Sequence, residues 1–115
     1  MDAQHLFPGT LKAIYDTLRS HVLAVDGGII EEFAKTQVSY GAARKFIWLS
    51  PLTKSKALLT VDMWDEHRDP MIRDVIRYRE DKFTHQIEVR TAEDVEAVST
   101  LGWFAEAARW GRKER

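Results

Sequence analysis

Apolar positions in the first quarter of the chain recur at three- and four-residue spacings. Leu11, Ile14, Tyr15, Leu18, Val22 and Val25 fall on one helical face, and Lys12, Asp16, Arg19 and Ser20 fall on others. Thr10 is placed to cap this helix through its hydroxyl. Asp26-Gly27-Gly28 is placed to end it, because glycine tolerates the left-handed backbone common after a last turn. Residues 29–36 stay unassigned: Ile29, Ile30, Phe33 and Ala34 would line a single helical turn. Val38, Tyr40 and Ala42 then alternate with Ser39 and Gly41, the period of a strand. Phe46-Ile47-Trp48-Leu49 is apolar on both faces, as in a central strand covered twice. After turn chemistry over 50–56, Leu59, Val61 and Met63 share one strand face and Leu58, Thr60 and Asp62 the other. Residues 38–63 therefore predict an antiparallel meander of three strands, with the register of its second hairpin open.

Asp69-Pro70 reads as a helix start, with Met71, Ile72, Val75 and Ile76 as a short apolar stripe, Tyr78 near its edge and Glu80-Asp81-Lys82 as its end. His85, Ile87 and Val89 alternate with Gln86, Glu88 and Arg90 as a fourth strand. Thr91 and Asp94 have capping-box spacing ahead of a final helix from about Ala92 to Trp110. Gly111 to Arg115 is a charged tail. The order predicts an α+β fold: a mainly antiparallel four-stranded sheet, N- and C-terminal helices packed on one face, and a short inserted helix. One domain is expected over 1–115, with its ordered core at about 10–110.

Composition narrows the possible functions. Of 115 residues, 44% are hydrophobic and 30% charged, and 17 Lys and Arg against 18 Asp and Glu leave a net charge of −1. A whole-molecule pull on nucleic acid or anionic lipid is therefore excluded. The chain has no cysteine, which removes disulfides, thiolate metal sites and a thiol nucleophile. No apolar run approaches the roughly 20 residues of a membrane helix. The start, MDAQHLFPGT, has neither the basic nor the apolar region of a signal peptide, so the expected location is the cytoplasm.

Several stretches carry a family resemblance. Val38-Ser39-Tyr40 leads into Arg44-Lys45-Phe46, then Pro51 and a lysine-bearing turn. The Leu58 to Val61 strand follows, then Arg73-Asp74-Val75 after an acidic connection. Glu88-Val89-Arg90, Asp94-Val95 and an alanine-rich helix close the chain. Over about residues 11–108 this order resembles small bacterial domains of unknown function, found alone or at the C-terminus of predicted transport and endonuclease-like proteins. The final helix departs from that pattern, with Gly102-Trp103-Phe104 where aliphatic residues are expected. More distantly, the layout is similar to frataxin-like sandwich domains, some of which are iron chaperones or DNA binders. That likeness is one of fold, and fold does not carry function.

The candidate chemistry is dispersed. Asp62, Asp65, Glu66 and His67, with Asp69, form the densest polar cluster, and hard cations or iron accept such ligands. Their spacing matches neither a calcium loop nor a helical zinc motif, and a solvated turn accounts for them equally. Glu31 and Glu32 are adjacent and diverge, so they do not flank one reacting atom; Glu31 is placed to pair with Lys35. His5, His21, His67 and His85 are scattered, no serine sits in a nucleophile elbow, and no glycine-rich loop precedes a helix. No cofactor is implied.

Two basic groups, Arg73 with Arg77 and Arg112 with Lys113, are nucleic-acid candidates beside Tyr78 and Trp110, although acidic neighbours dilute the first group. Tyr40, Trp48 and Trp64, with Arg44 or Lys45 at the rim, would floor a pocket for a small anionic ligand if they share a face; otherwise they are core. Trp103 and Trp110 lie seven apart, on a different face of the final helix from the stripe of Val98, Leu101, Ala105 and Ala108. That second stripe is either covered by the N-terminal segment or meets a partner, a second copy of the chain included. The expected function is thus a non-catalytic binding or protein-interaction module. The alternatives are a small-ligand or iron-binding protein and a nucleic-acid-binding domain.

Overall fold

A computed structural model describes residues 3–115. A short helix α1 (Ala3–Leu6) and the long α2 (Leu11–Leu23) precede four strands: β1 (Ile30–Phe33), β2 (Val38–Gly41), β3 (Lys45–Pro51) and β4 (Ala57–Met63). A hairpin of β5 (Ile72–Arg79) and β6 (Lys82–Val89) follows, then α3 (Ala92–Thr100) and α4 (Trp103–Gly111). The sheet is six-stranded, in the order β1-β2-β3-β4-β6-β5, and every pair is antiparallel. The α+β class holds, but the expected four-stranded sheet with a short inserted helix does not.

Both extra strands occupy sheet edges. Residues 30–33 pair with β2, which resolves the unassigned segment. The stretch expected to be a short helix is β5, paired with β6. Its apolar residues mimic helical spacing because the pairing register shifts twice, between Ile72 and Asp74 and between Arg77 and Arg79. Each irregularity breaks the two-residue period that marks a regular strand. Asp69 does cap, but it caps a turn: its carboxylate accepts from the Met71 amide at 3.0 Å and its carbonyl from Ile72 at 2.9 Å.

The final helix is likewise two helices. Gly102 has φ +81°, a left-handed conformation that glycine adopts at little steric cost, and it separates α3 from α4. The Thr91–Asp94 capping box is present in both directions. The Thr10 cap is absent: that residue has helical dihedrals and its side chain makes no capping bond. Gly27 and Gly28 do not take left-handed dihedrals either; the turn there is held by Asp26 Oδ1 accepting from the Gly28 amide at 3.0 Å.

Helices α3 and α4 pack on one face of the sheet, with α2 against them. The core joins Leu11, Ile14, Leu18 and Val22 of α2 to Leu49, Leu59, Val61 and Ile87 of the sheet and to Phe104 and Ala108 of α4. Burying side chains of this size contributes roughly 1.5–3 kcal/mol each, which fixes which sheet face is inward. The segment 46–49 is covered on one side, not on two as its composition implied. Tyr40 pairs with Ile47 and Gly41 with Lys45, so Phe46 is the extra residue of a β3 bulge. That bulge allows consecutive Phe46 and Ile47 both to be buried, while Trp48 stays partly exposed on the other face.

The ring of Phe46 leaves no room above it. A Cβ placed on Gly111 would stand 2.2 Å from Phe46 Cδ1, whereas one on Gly27 meets nothing within 4 Å. Gly111→Ala is expected to lower stability by about 1–3 kcal/mol, with Gly27→Ala within about 0.5 kcal/mol of the parent, in urea unfolding monitored by circular dichroism.

Candidate functional site

Pairing registers sort the sheet residues into rows that cross the strands. Glu32, Ser39, Trp48, Thr60, Gln86 and Asp74 form one row through all six strands. Asp62, Thr84 and Ile76 form the next row on the same face. The alternate row, Glu31, Tyr40, Ile47, Val61, His85 and Val75, points toward the helices. The uncovered face is thus polar around one indole. It contains a shallow hollow of about 270 Å³ lined by Gln37, Trp48, Thr60, Asp62, Tyr78, Lys82 and Thr84.

Asp62 is the unusual member of this face. It is only 1% exposed, although its face carries no helix. Thr84 Oγ1 donates to its Oδ1 at 2.5 Å, and Lys82 Nζ stands 3.8 Å from Oδ2, beyond hydrogen-bond length. Burial raises the Asp62 pKa above the ordinary carboxylate value, against the Thr84 bond and the nearby charges of Lys82, Arg44 and Arg79. The Lys82 ammonium lies 4.9 Å from the Tyr78 ring and 5.7 Å from the Trp110 ring, where ring faces attract cations. Tyr78 itself is 61% exposed. The hollow therefore offers a carboxylate, an ammonium, three hydroxyls and an indole within one small area.

The expected pocket residues divide between the two faces. Trp48 lines the hollow, but Tyr40 is one residue out of phase and faces the helices. The Tyr40 and Tyr15 hydroxyls both donate to Glu31 Oε2 at 2.8 Å, and Arg19 approaches Oε1 at 3.4 Å, so Glu31 is turned inward to this network and not toward Lys35. Burial and the Glu31 carboxylate hold both phenols above their ordinary pKa. Trp64 leans on Trp110, with ring centroids 6.4 Å apart. Arg44 lies between those two indoles, 3.4 Å from Trp110 and 5.3 Å from Trp64, and its Nε donates to the Trp110 carbonyl at 2.9 Å. Lys45 pairs with Glu32 at 2.7 Å.

Trp103 and Trp110 are 5% and 2% exposed, so the surface expected to meet a partner is used by the chain's own fold. The Trp110 indole N–H donates to the Asp81 carbonyl at 2.8 Å. The apparent excess came from projecting a single helix across Gly102. With the break in place, Leu101 turns outward and the two indoles turn in.

The proposed metal ligands are not gathered. Asp62 is on the open face, Asp65 pairs with Arg115 at 3.7 Å, Glu66 pairs with Arg68, and His67 Nε2 lies 2.8 Å from Glu106 Oε2. Among the described residues no group of three or more His, Cys, Asp or Glu could hold a metal ion. The basic candidates are also apart. Arg73 and Arg77 are on β5, with Arg77 5.7 Å from the Phe83 ring. Arg112 is tied at 2.6 Å to Asp26, ahead of β1 at the opposite sheet edge, and Lys113 is exposed beside it.

Two histidine arrays lie on the helical side. Ser99 Oγ is 3.2 Å from His21 Nδ1, and His21 Nε2 is 3.0 Å from Glu96 Oε2. The outline is that of a triad, but it joins side chains of two helices, and Ser99 lies inside α3, where backbone amides are committed to the helix. It serves as a tie between α2 and α3. His85 is fully buried; its Nδ1–H donates to the Val61 carbonyl at 3.2 Å, and its Nε2 accepts the His67 amide at 3.0 Å. Burial lowers its pKa.

Sequence reasoning missed Gln37, Lys82 and Thr84 as hollow residues. For Lys82 and Thr84 the signal was strand parity, which becomes usable only once β6 is paired with β4; Gln37 lies in the turn before β2, outside that pattern.

A family model described as a domain of unknown function (DUF5655) matches residues 2–108. No match was found among the curated proteins or among the solved structures.

Both buried titratable groups predict a pH signature. Asp62 has a raised folded pKa, so its effect on stability is most favourable below the unfolded value and is lost as pH rises through the folded value. Asp62→Asn is therefore expected to raise the melting temperature near neutral pH, with the difference closing in acid. His85 has a lowered folded pKa, so its contribution is complete above the unfolded value of about 6.5 and is lost as pH falls from there through the folded value. Unfolding free energy is expected to drop as pH falls below about 6.5 in urea titrations, and His85→Gln to flatten that drop.

Proposed function

The chain belongs to the DUF5655 family, and from that premise we propose that it is a non-catalytic binding module acting through the open face of its sheet, with a small polar ligand seated over Asp62. The observation that carries this reading is the burial of an ionisable carboxylate on the face that no helix covers. A carboxylate held against its own desolvation lowers stability, and such concessions concentrate where a protein binds something.

The composition of the hollow supports the same reading. Asp62 and the Lys82 ammonium sit side by side without a hydrogen bond between them, so each retains capacity for a guest. Trp48 and Tyr78 supply aromatic walls, and Thr60 and Thr84 supply hydroxyls from neighbouring strands. Side chains anchored on paired strands are held in place before a ligand arrives, which lowers the ordering cost of binding. At about 270 Å³ the hollow suits a small molecule or one unit of a larger one.

Protein-observed NMR with mixtures of small polar compounds tests this. Shifts are expected to centre on the Trp48 indole and on the Thr60, Lys82 and Thr84 amides, and to vanish in Trp48→Ala, whose partly exposed site leaves the fold intact. Shifts centred on the helical side, or none at all, would overturn the reading.

A further inference from the structure

The long polar row beyond the hollow narrows the ligand's chemistry. Glu32, Ser39, Trp48, Thr60, Gln86 and Asp74 cross the whole sheet side by side. Strands lie about 4.8 Å apart, so the stretch from Trp48 on β3 to Asp74 on β5 covers three gaps, or about 14 Å. One indole stands in this row, surrounded by hydroxyl, amide and carboxylate groups. The aliphatic residues of this face are dispersed: Leu58 and Ile76 are each partly covered, and the exposed Ile30 stands on the edge strand β1, two strands from the indole.

Charge disfavours a polyanion. Carboxylates terminate the row at both edges, and Asp62 lies in the floor of the hollow between them. Two cations of this face are held by acids, Lys45 by Glu32 at 2.7 Å and Lys56 by Glu88 at 2.8 Å, and Lys82 stands 3.8 Å from Asp62 without a hydrogen bond to it. A phosphodiester chain laid here would meet Asp74 at one edge and find Lys45 and Lys56 already paired with acids. An extended peptide gains nothing from the face either, because the backbone groups of its inner strands are spent on sheet pairing.

A sugar ring has the complementary chemistry. Its C–H face is apolar and flat enough to lie on an indole, and its rim carries hydroxyls that both donate and accept. We propose that the open face binds a neutral oligosaccharide, with one ring stacked on Trp48 and neighbouring hydroxyls bonded to Thr60, Asp62 and Gln86. This rests on the binding reading above and adds the ligand class. The Asp62 carboxylate accepts from a ring hydroxyl, and the Lys82 ammonium donates to a ring oxygen. The shallowness of the hollow fits a chain passing over the sheet, with more than one ring in contact.

The test titrates the full chain with neutral hexose and N-acetylhexosamine oligomers, and separately with a hexanucleotide at low salt, while the Trp48 indole resonance is followed by NMR. One oligosaccharide is expected to shift that resonance saturably, to bind more tightly than its disaccharide, and to lose at least about tenfold in affinity in Trp48→Ala. Trp48→Phe, which retains an aromatic platform, is expected to recover part of the loss. Asp62→Asn is expected to weaken binding while raising thermal stability, an opposition that a purely structural role would not produce. If the hexanucleotide moves the Trp48 resonance and no oligosaccharide does, the saccharide proposal fails and the binding face stands. If no oligosaccharide shifts it at about 10 mM, the proposal also fails, and the small-molecule mixtures above then decide the broader reading.

Discussion

Side-chain alternation along β4 is the constraint on which the molecule is built. Ala57, Leu59, Val61 and Met63 point to the helices and are fully buried, whereas Leu58, Thr60 and Asp62 point away. β4 pairs with β3 on one side and β6 on the other, so its parity is transmitted to both. A slip of one residue would expose four apolar side chains and drive a carboxylate under α4, a change of several kcal/mol against folding. The register is fixed by that penalty. Fixing it also sets Trp48, Thr60 and Gln86 side by side on the opposite face. The same choice that makes the core makes the surface.

Departures from this alternation are local, and they share a purpose. The β3 bulge turns Phe46 inward beneath Gly111, which brings the end of α4 onto the sheet. Arg44 follows from that approach: its amide donates to the Gly111 carbonyl at 3.0 Å, and its side chain lies against Trp110. One Arg44 nitrogen, Nη2, is buried without a hydrogen-bond partner, and burial lowers the guanidinium pKa. Cation–π contact with Trp110 offsets part of that cost, about 2 kcal/mol where such a pair is desolvated. The C-terminal turn is thereby secured to the sheet edge by stacking and by backbone acceptors, with Trp64 adding a bond to the Glu114 carbonyl at 2.6 Å.

Much of this was legible in the residues, and the failures have physical causes. The meander over 38–63, both faces of β4, the fourth strand ending at Val89 and the Thr91 cap all followed from period and turn chemistry. β1 was too short for its period to stand out, and the two irregularities of β5 gave its apolar residues a helical spacing. Gly102 interrupts a run whose apolar spacing continues on both sides of it, so its backbone preference was outvoted in the pattern. The candidate site was legible only in pieces. Trp48 and Asp62 were each singled out, but for different chemistries, because nothing local tells which strands bring them to one face. Tyr40 was grouped with Trp48 on adjacency in the sheet, and a single residue of phase separates them.

The division of polar groups between the two faces is the ground for proposing a binding site on the sheet and not among the helices. On the helical side the titratable groups have partners in the fold, Glu31 with two tyrosines, His67 with Glu106, and His85 with the Val61 carbonyl and the His67 amide, while Arg44 beside Trp110 keeps one nitrogen unpaired. These bonds satisfy groups that burial would otherwise penalise, and their removal would first be felt as lost stability. On the open face the accounting is incomplete. Asp62 is buried with a lysine near it but not bonded to it, Tyr78 projects into solvent, and an indole is left partly uncovered. Folding alone would be served better by an apolar residue at position 62, packed on Thr84 and relieved of desolvation. A carboxylate in that place, one row along from Trp48 on the same face, costs the fold stability, and that cost is the physical ground for the proposed binding face.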